Sequence, residues 1–332
     1  MIGSLPLSAP ELESRIIPAL QTIEDRLMEV VTSADETINP PTSHLAEAGG
    51  KRLRPVLALL TAQLGDPALA TGEEIRDAGV AVELTHIATL YHDDVMDEAP
   101  LRRGAPSAQT VWGNSAAILT GDVLVARASQ LVAALGPEAV MAHAKTFERL
   151  CMGQLHETLP RPAGTDPVDH YIQVLADKTG SLIAVSARYG AMLTGAGTRT
   201  EQIVEEFGER IGVAFQLADD ALDYGASAEA LGKNAGDDFN EGKATLPLLL
   251  AVARTRGRED AFWERTVTRG ERTPDDFARA RELVVGSGAI GATLDLAGDY
   301  ADAAKAALAV LPASDWRAAL EDLADFAVSR AA

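Results

Sequence analysis

Two short acidic stretches limit how this chain can fold. Each has the spacing DDxxD, and the members are Asp93, Asp94 and Asp97 in the first copy and Asp219, Asp220 and Asp223 in the second. Pro100 follows the first copy and Gly225 the second, so both copies are predicted to lie in the last turns of a helix. Carboxylates four residues apart on a helix repel each other, and the negative end of the helix dipole disfavours them further. The fold therefore has to bring positive charge to both helix ends.

Carboxylate clusters of this kind indicate a hard cation. Mg²⁺ prefers oxygen ligands, and proteins usually hold it with one or two carboxylates together with water and substrate phosphates. Residues four apart lie about 40° apart around a helix, so the first and last aspartates of each motif share a face, whereas the middle one is rotated away by about 100°. A single copy could be a solvated acidic helix end. Two copies, both followed by basic residues, predict a paired Mg²⁺ site in which the middle aspartates support the ligands.

Helical periodicity extends over most of the chain. Apolar residues recur at spacings of three and four, and no convincing run of strict alternation is present. Hydrophobic residues make up 47% of the chain and aromatic residues 5%, which favours packed aliphatic helices over sheets. Helices are predicted at about residues 10–34, 55–65, 71–97, 115–135, 137–158, 167–194, 199–224, 243–256, 275–286, 288–310 and 314–330. Breaks include NPPTS at 39–43 and the glycine-rich segment 225–242. No linker or repeat divides the sequence, so residues 1–332 are predicted to form one all-α domain.

Net charge and cysteine content narrow the possible partners and location. The formal net charge is −20, so the surface would repel a phosphate backbone, and nucleic acid is not expected as a partner. Cys151 is the only cysteine, which excludes an intrachain disulfide and fits a reducing cytoplasm. No apolar segment precedes Arg15, and the longest uncharged run, residues 104–121, contains several polar residues. We therefore expect a cytoplasmic protein with neither a signal peptide nor a membrane span.

Basic residues stand beside the acidic clusters. In AGGKRLRP, Lys51, Arg52 and Arg54 precede a helix that is predicted to begin near Pro55. The Gly-Gly lead exposes backbone N–H groups, and together with the bases it predicts an anion site, although such a segment could also be a solvated turn. Further bases near the two motifs are Arg102, Arg103, Lys178, Lys233 and Lys243. In a chain with this excess of acids, their positions indicate phosphate clamps.

Six ordered motifs resemble those of the trans-isoprenyl diphosphate synthases, the polyprenyl synthetase family. They are GGKRLRP, ELTHIATLYHDDVMDEAPLRRG, GNSAAILTGDVL, DKTGSL, FQLADDALD and LGK…DFNEGKATLPLL, and the match runs from about residue 45 to 250. The segment LPASDWRAALEDLADFAVSR also resembles the final helix of that family. The resemblance implies an all-α bundle of about ten or more helices around a central substrate cavity, a homodimer, and Mg²⁺-dependent condensation of isopentenyl diphosphate with an allylic diphosphate.

The resemblance also implies roles for individual residues. The allylic diphosphate would be held through Mg²⁺ by Asp93, Asp97 and Asp219, with Asp94, Asp220 and Asp223 in support. The same grip would include Arg102, Lys178 and Lys233, with Thr179, Gln216 and Lys243 assisting. The diphosphate of isopentenyl diphosphate would be bound by Lys51, Arg54, His86 and Arg103. The residues expected to be catalytic are Asp93, Asp97, Asp219, Lys178 and Lys233. The two aspartate motifs are expected to face each other across the metal ions. Without the resemblance, His86 would be interpreted as a hydrogen-bonded core histidine.

Small residues before the first motif bear on product length. Ala88 and Thr89 stand five and four residues before Asp93. Members of the family that stop at short products often carry a bulky aromatic residue at these positions, where it forms a floor under the growing chain. Both residues are small here, which predicts an open tunnel and a product of geranylgeranyl length or longer. Tyr91, two residues before Asp93, could still narrow such a tunnel.

Three other interpretations stay open at this point. A class I terpene cyclase shares the fold and the metal motifs but lacks an isopentenyl diphosphate site, which the intact GGKRLRP and Arg103 argue against. A non-catalytic subunit of a heteromeric prenyl synthase commonly lacks one aspartate motif, whereas both are complete here. His92, next to Asp93, could indicate an HD-type phosphohydrolase, but the further histidine ligands that such a site needs are not evident.

Overall fold

Helices form along nearly the whole chain, as the apolar spacing predicts. The structure, a computed structural model, describes residues 10–225, 236–273 and 275–329. Within these residues the only strands are two of two residues each, which pair as one hairpin. The prediction of an all-α protein is therefore confirmed.

The elements are numbered in chain order. The helices are α1 (Pro10–Val31), α2 (Asn39–Glu47), α3 (Leu53–Ala62), α4 (Glu73–Met96), α5 (Ala108–Trp112), α6 (Asn114–Ala134), α7 (Pro137–Thr158), α8 (Pro167–Leu175), α9 (Ser181–Leu193), α10 (Thr198–Gly225), α11 (Asp237–Glu241), α12 (Leu246–Arg254), α13 (Asp260–Trp263), α14 (Asp276–Gly286), α15 (Ala289–Leu308) and α16 (Asp315–Ser329). The strands are β1 (Leu101–Arg102) and β2 (Ala105–Pro106), and two π-turns lie at Ala176–Gly180 and Glu264–Thr268.

The chain groups into two compact units. The first takes Met1–Glu148, Leu182–Gly208 and Lys305–Leu323, and the second takes Arg149–Ser181, Glu209–Ala304 and Ala324–Ala332. The prediction of a single domain over residues 1–332 stays a prediction.

In the first unit, α4 is the central helix. Nearly all of its residues from Ala78 to Ala88 are buried, so it has almost no solvent face over this length. A helix that is buried on every side belongs in a core, and α1, α3 and α6 pack around it. The close approach of α1 depends on Gly79, because a Cβ there would stand 2.8 Å from Ile23 Cδ1. Core packing therefore fixes the functional residues that are predicted on α4.

The interpretation of NPPTS, residues 39–43, as a break is wrong, because these residues begin α2. The two prolines occupy the first turn of the helix. Backbone N–H groups have no helical partner there, and the fixed φ of proline suits a helix. Tyr91 on α4 binds α2, since its hydroxyl donates to the Pro41 carbonyl at 2.5 Å and accepts from the Leu45 N–H at 3.2 Å. The first turn of α2 is thereby tied to the core helix.

A hairpin that the sequence analysis did not predict follows the first acidic motif. β1 and β2 pair antiparallel, with Arg102 opposite Ala105. The two residues between the strands, Arg103 and Gly104, have φ of 54° and 79°. Two left-handed residues in a two-residue loop are typical of a type I′ turn, whose twist matches that of the paired strands. The hairpin thus holds Arg103 in a left-handed backbone conformation that residues other than glycine rarely adopt.

The second unit is built around two apolar clusters. One consists of Tyr224, Phe239, Leu248, Ala251, Trp263, Ala280, Val284 and Ala289. The other consists of Tyr171, Leu175, Ala176, Val213, Leu217, Leu246 and Ala297. Trp263 Nε1 donates to Thr255 Oγ1 at 2.7 Å, which satisfies the indole N–H inside the first cluster. Because α10 contributes to both clusters, packing also fixes the helix end that carries the second acidic motif.

Among the described helices, α6 has the length and apolar composition that could cross a membrane. Core helices of soluble proteins pass the same test, and 39% of the apolar window of α6 is buried. Its exposed face carries Ile118, Leu119 and Val123. The expectations of no membrane span and of a cytoplasmic location stay predictions. An apolar face of this kind is typical of a surface that another molecule covers.

Candidate active site

The first acidic motif lies at the C-terminal end of α4, as predicted. The helix ends at Met96, and Asp97 is its C-cap. Asp93 and Asp97 are partly exposed, whereas Asp94 is fully buried. The helical spacing therefore turns two carboxylates toward solvent and the middle one inward, as the sequence predicts.

Asp94 forms an ion pair with Arg102 of β1. Arg102 Nε donates to Asp94 Oδ1 at 2.6 Å, and Nη2 lies 2.6 Å from the same oxygen. The second oxygen, Oδ2, has no hydrogen-bond partner among the described residues. Burial raises the pKa of Asp94, and the Arg102 guanidinium opposes this effect. A buried carboxylate with one unsatisfied oxygen, next to two partly exposed ones, suits the support of a bound cation.

Three of the residues predicted to bind isopentenyl diphosphate lie together in the first unit. Arg54 stands in the first turn of α3, Arg103 in the hairpin turn and His86 on α4. Burial lowers the pKa of Arg54 to about 10, with a smaller contribution from the charge of Arg103. Arg54 Nε has no hydrogen-bond partner within the described part of the chain. Lys51, the fourth predicted member, is exposed in the turn before α3. A desolvated guanidinium with an unused donor is suited to binding an anion.

The surroundings of His86 keep its imidazole neutral. Burial lowers the pKa of His86 well below its ordinary value, and the charges of Arg54 and Arg103 lower it further. A neutral imidazole has one N–H donor and one acceptor nitrogen. His86 can therefore donate a hydrogen bond to a diphosphate, but it adds no charge of its own.

Arg52, the remaining base of GGKRLRP, turns into the core. Its side chain is 5% exposed and binds Glu83 of α4 through Nη1 at 2.8 Å and Glu24 of α1 through Nη2 at 3.1 Å. Glu83 is 2% exposed and also lies 3.9 Å from Arg103 Nη2. The sequence analysis assigned no role to Glu83 or Glu24. The one available signal was a charged residue inside the apolar run of α4.

The part of α4 before the first motif contacts α7, and α7 lines a cavity of the first unit. Ala88 is fully buried and Thr89 partly buried. One turn earlier, Thr85 Oγ1 lies 3.3 Å from Nε2 of the buried His143 on α7. His143 also lines a cavity of about 340 Å³ between α6 and α7. The other lining residues are Val125, Ser129, Val132, Val140, Ala144, Phe147 and Glu148. Tyr91 directs its hydroxyl to α2, so it is not placed to block this cavity.

The second acidic motif occupies the last two turns of α10, in the second unit. Asp219 is partly exposed, but Asp220 and Asp223 are 3% and 0% exposed. Gln216 Nε2 donates to Asp220 Oδ1 at 3.0 Å, which orients the middle carboxylate. Burial extends to the last aspartate because the end of α10 packs into the apolar cluster that contains Tyr224. The two motifs therefore share a spacing but differ in how deeply their last carboxylate lies.

Lys178 and Thr179 lie in the π-turn between α8 and α9, where the sequence predicted one regular helix. Lys178 Nζ makes an ion pair with Glu157 Oε2 on α7 at 2.7 Å. Helix α7 comes this close to the π-turn because residue 153 is a glycine. A Cβ at this position would stand 2.6 Å from the backbone nitrogen of Lys178. π-turns are frequent at functional sites. Glu157, which the sequence analysis did not select, is the partner that holds the predicted catalytic lysine.

Lys243 lies just after α11 and pairs with Glu241 Oε2 at 2.7 Å. It lines a cavity of about 190 Å³ in the second unit, together with Glu157 and His170. Glu157 thus adjoins both the π-turn and this cavity. Lys233, the other lysine predicted in this segment, lies outside the described residues.

His92 packs against α6. Its Nε2 lies 3.2 Å from the Ile118 carbonyl oxygen and 3.3 Å from Asp122 Oδ1. Within the described residues of either unit, no three His, Cys, Asp or Glu side chains form a ready-made metal site. A Mg²⁺ site does not require such a group, because one or two carboxylates suffice when substrate phosphates and water complete the ligand shell.

The predicted site residues thus fall into two sets. The first unit holds Lys51, Arg54, His86, Ala88, Thr89, Asp93, Asp94, Asp97, Arg102 and Arg103. The second unit holds Lys178, Thr179, Gln216, Asp219, Asp220, Asp223 and Lys243. The individual roles, and the joint action of the two aspartate motifs, stay predictions.

Known proteins resemble this chain over almost its full length. The sequence model of the polyprenyl synthetase family matches residues 35–284. Nonaprenyl diphosphate synthase of Mycobacterium tuberculosis (strain ATCC 25618 / H37Rv) is 43% identical over 333 residues, which cover 99% of this chain and 98% of the relative. The solved structure of a polyprenyl synthase from Caulobacter crescentus CB15, complexed with calcium and isoprenyl diphosphate, has a TM-score of 0.90 at 44% identity and covers 97% of each chain. That of geranylgeranyl pyrophosphate synthase from Corynebacterium glutamicum, complexed with the same two ligands, has a TM-score of 0.84 at 39% identity, over 97% of this chain and 98% of the other.

These similarities extend through both compact units. The chain belongs to the polyprenyl synthetase family and is a trans-prenyltransferase.

Proposed function

We propose that this protein condenses isopentenyl diphosphate with an allylic diphosphate, head to tail and all-trans, in a Mg²⁺-dependent reaction that yields a polyprenyl diphosphate longer than geranylgeranyl. One observation supports this most directly. The buried helix α4 carries two partly exposed carboxylates, Asp93 and Asp97, about two and three turns beyond an imidazole that lies among the guanidiniums of Arg54 and Arg103. The carboxylates for a metal and the imidazole of the second diphosphate site are thus built on the same rigid helix, and the two arginines reach that imidazole from α3 and from the hairpin.

The two carboxylates at the end of α4 are the groups that would hold the metal in the first unit. A divalent cation bound there would neutralise the negative charge that develops on the departing diphosphate. Mg²⁺ suits these ligands because it keeps several waters and binds carboxylate and phosphate oxygens together. Asp94 supports the pair from inside, and its ion pair with Arg102 favours the charged form of this buried carboxyl group. The family resemblance implies a role on the same substrate for Lys178 and the aspartates of α10, and this role stays a prediction.

The basic cluster would bind and orient isopentenyl diphosphate. Arg54 and Arg103 supply charge, and His86 donates one hydrogen bond without adding charge. Fixed groups on packed elements hold the double bond next to the allylic carbon that loses its diphosphate, which makes the condensation effectively unimolecular. The apolar surroundings of Ala88 exclude water, which would otherwise quench the allylic cation. The departing diphosphate would take the final proton, so no dedicated side-chain base is required.

We expect the purified chain alone, with Mg²⁺, labelled isopentenyl diphosphate and farnesyl diphosphate, to produce elongated diphosphates, because both substrate sites are present in its sequence. Chromatography by chain length measures the outcome. Cyclic hydrocarbons formed from the allylic diphosphate alone would show a terpene cyclase instead. Turnover only after addition of a second kind of chain would show a subunit of a heteromeric synthase.

Asp93→Asn should lower kcat/KM by about 100-fold or more, because stabilisation of the leaving group is lost while the fold is kept. Asp295→Asn is the matched control, since Asp295 is an exposed carboxylate on α15 that lies outside both aspartate motifs. It should leave kcat/KM within about twofold of the parent. Removal of divalent ions by a chelator should abolish turnover, and Mg²⁺ should restore it. Undiminished activity after thorough chelation would refute the metal assignment.

Product length is proposed to depend on the cavity beside α4. Thr85 stands two helical turns before Asp93, a distance of about 12 Å along the axis. Its contact with His143 lies between α4 and the open cavity of about 340 Å³ that α6 and α7 line. A chain that grows past the small residues Ala88 and Thr89 would reach this contact next. The cavity beyond it is lined largely by apolar side chains, which suits a prenyl tail.

Ala88→Phe should shorten the product while leaving turnover within about threefold, because the ring fills the space into which the chain grows. His143→Ala should act in the opposite direction and lengthen the product. Thr89→Val, which keeps size and shape, should leave the length unchanged. Product distributions from the three variants measure these effects. If the distribution of product lengths were unaltered in both Ala88→Phe and His143→Ala, the cavity beside α4 would not determine product length.

A homodimer is proposed from the exposed apolar face of α6. Ile118, Leu119 and Val123 are 42%, 62% and 37% exposed, and the nearby Val140 and Met141 of α7 are 43% and 58% exposed. On a chain with a net charge of −20, these exposed aliphatic side chains are well suited to contact with a second copy of the chain.

Leu119→Glu should convert a dimer into monomers of 34.9 kDa, because it places a charge in the apolar contact. Leu69→Glu is the matched control, since Leu69 is 47% exposed but lies in the turn before α4. Sedimentation equilibrium distinguishes the two states. A parent chain that already sediments as a monomer would be incompatible with the proposal.

A further inference from the structure

A buried carboxylate lies beneath the proposed isopentenyl diphosphate site. Glu83 is 2% exposed, in the middle of α4. It accepts a hydrogen bond from Arg52 Nη1 at 2.8 Å and lies 3.9 Å from Arg103 Nη2. A negative charge at this place opposes anion binding by simple electrostatics. Its presence therefore calls for a structural advantage that outweighs the repulsion.

That advantage is visible in the two loops that Glu83 joins. Arg52 precedes α3 with φ of 53°, and Arg103 stands in the hairpin turn with φ of 54°. The left-handed conformation is unfavourable for both side chains, so neither loop keeps this shape without further contacts. Arg103 Nη1 also donates to the carbonyls of Gly49 and of Leu45, the latter at 2.9 Å. Glu83 is the one carboxylate within ion-pair distance of both arginines in the described residues.

The Gly-Gly turn of GGKRLRP is packed against the same two arginines. A Cβ at Gly50 would stand 3.2 Å from Arg103 Cζ and Nη2 and 3.2 Å from Arg52 Nη1. The turn, the hairpin and α4 thus meet at one point. Glu83 also favours the charged form of Arg54 and of Arg103, whose pKa values are lowered by burial.

We propose that Glu83 is a positioning residue, which through Arg52 and Arg103 holds the Gly-Gly turn and the hairpin in the arrangement that binds the diphosphate of isopentenyl diphosphate. The inference rests on the function proposed above and adds a residue to it. Glu83 itself does not touch substrate. It acts by fixing the groups that do.

Positioning and simple charge predict opposite effects for Glu83→Gln. If Glu83 acted only through its charge, the variant would bind isopentenyl diphosphate more tightly, because repulsion is removed. If Glu83 positions the site, the variant should raise KM for isopentenyl diphosphate about tenfold, while KM for farnesyl diphosphate and kcat stay within about twofold. The sign of the change therefore decides between the two roles.

Glu24→Gln is the matched control. Glu24 also binds Arg52, through Nη2 at 3.1 Å, whereas the ion pair with Arg103 is made by Glu83. Each variant leaves Arg52 with one carboxylate fewer, so both should lower the thermal midpoint. Only Glu83→Gln should raise KM for isopentenyl diphosphate by more than about twofold.

Gly50→Ala tests the same arrangement without altering a charge or the core. Gly50 is exposed, and its backbone is compatible with alanine, so this variant should fold even if Glu83→Gln does not. The added methyl group displaces the two guanidiniums and should raise KM for isopentenyl diphosphate selectively. An unchanged or lowered KM in both variants would overturn the inference.

Calorimetric titration of isopentenyl diphosphate in metal-free buffer separates this inference from the proposed function. Absence of turnover in the parent chain would refute the function. The Kd of isopentenyl diphosphate would still be expected to rise in Glu83→Gln and Gly50→Ala relative to the parent. Equal Kd values for the parent and both variants would refute the role of Glu83 whether or not the parent turns over.

Discussion

Charge compensation along α4 is the constraint on which the rest of this structure depends. One buried helix carries a buried glutamate, an imidazole kept neutral and a cluster of three aspartates. Charged groups away from water are tolerated only with partners, and each partner comes from a different segment. Arg102 of the hairpin forms an ion pair with Asp94, and Arg52, in the turn before α3, forms an ion pair with Glu83. The conformations of the loops around the site therefore depend on ion pairs with the core helix as well as on contacts with a substrate.

Much of the fold could be predicted, because the signals are local. Pro100 and Gly225 mark the two helix ends that carry the acidic motifs, and the structure ends both helices there. The segment NPPTS was misinterpreted because proline is common both in breaks and in the first turn of a helix, and only tertiary contacts such as that with Tyr91 separate the two cases. The Arg-Gly hairpin turn escaped notice because arginine gives no indication of a left-handed conformation.

Less of the site could be predicted, because its contacts join distant segments. The family resemblance selected the residues that would meet substrate, but not those that hold them. Glu83 and Arg52 are 31 residues apart in the chain, and Lys178 and Glu157 are 21 apart. A lone acid in an apolar run, or an acid near the end of α7, has many possible partners, and spacing alone does not select one. The burial of Asp223 was likewise hidden, since it depends on how α10 packs rather than on the helical period.

The π-turn at Ala176–Gly180 has a consequence for how this site can change over evolutionary time. Such a turn holds one residue more than the α-helical turn it replaces. Loss of a single codon there would restore a continuous helix rather than break one, and the two flanking helices would keep their relative rotation, because the extra residue is accommodated within one turn. Only the residues inside the turn, Lys178 and Thr179 among them, would change the direction of their side chains. The lysine could thus be swung out of the site while both flanking helices stay intact. At this position a one-residue insertion or deletion could create or remove the turn that places Lys178, and the activity could be gained or lost in a single step without a substitution.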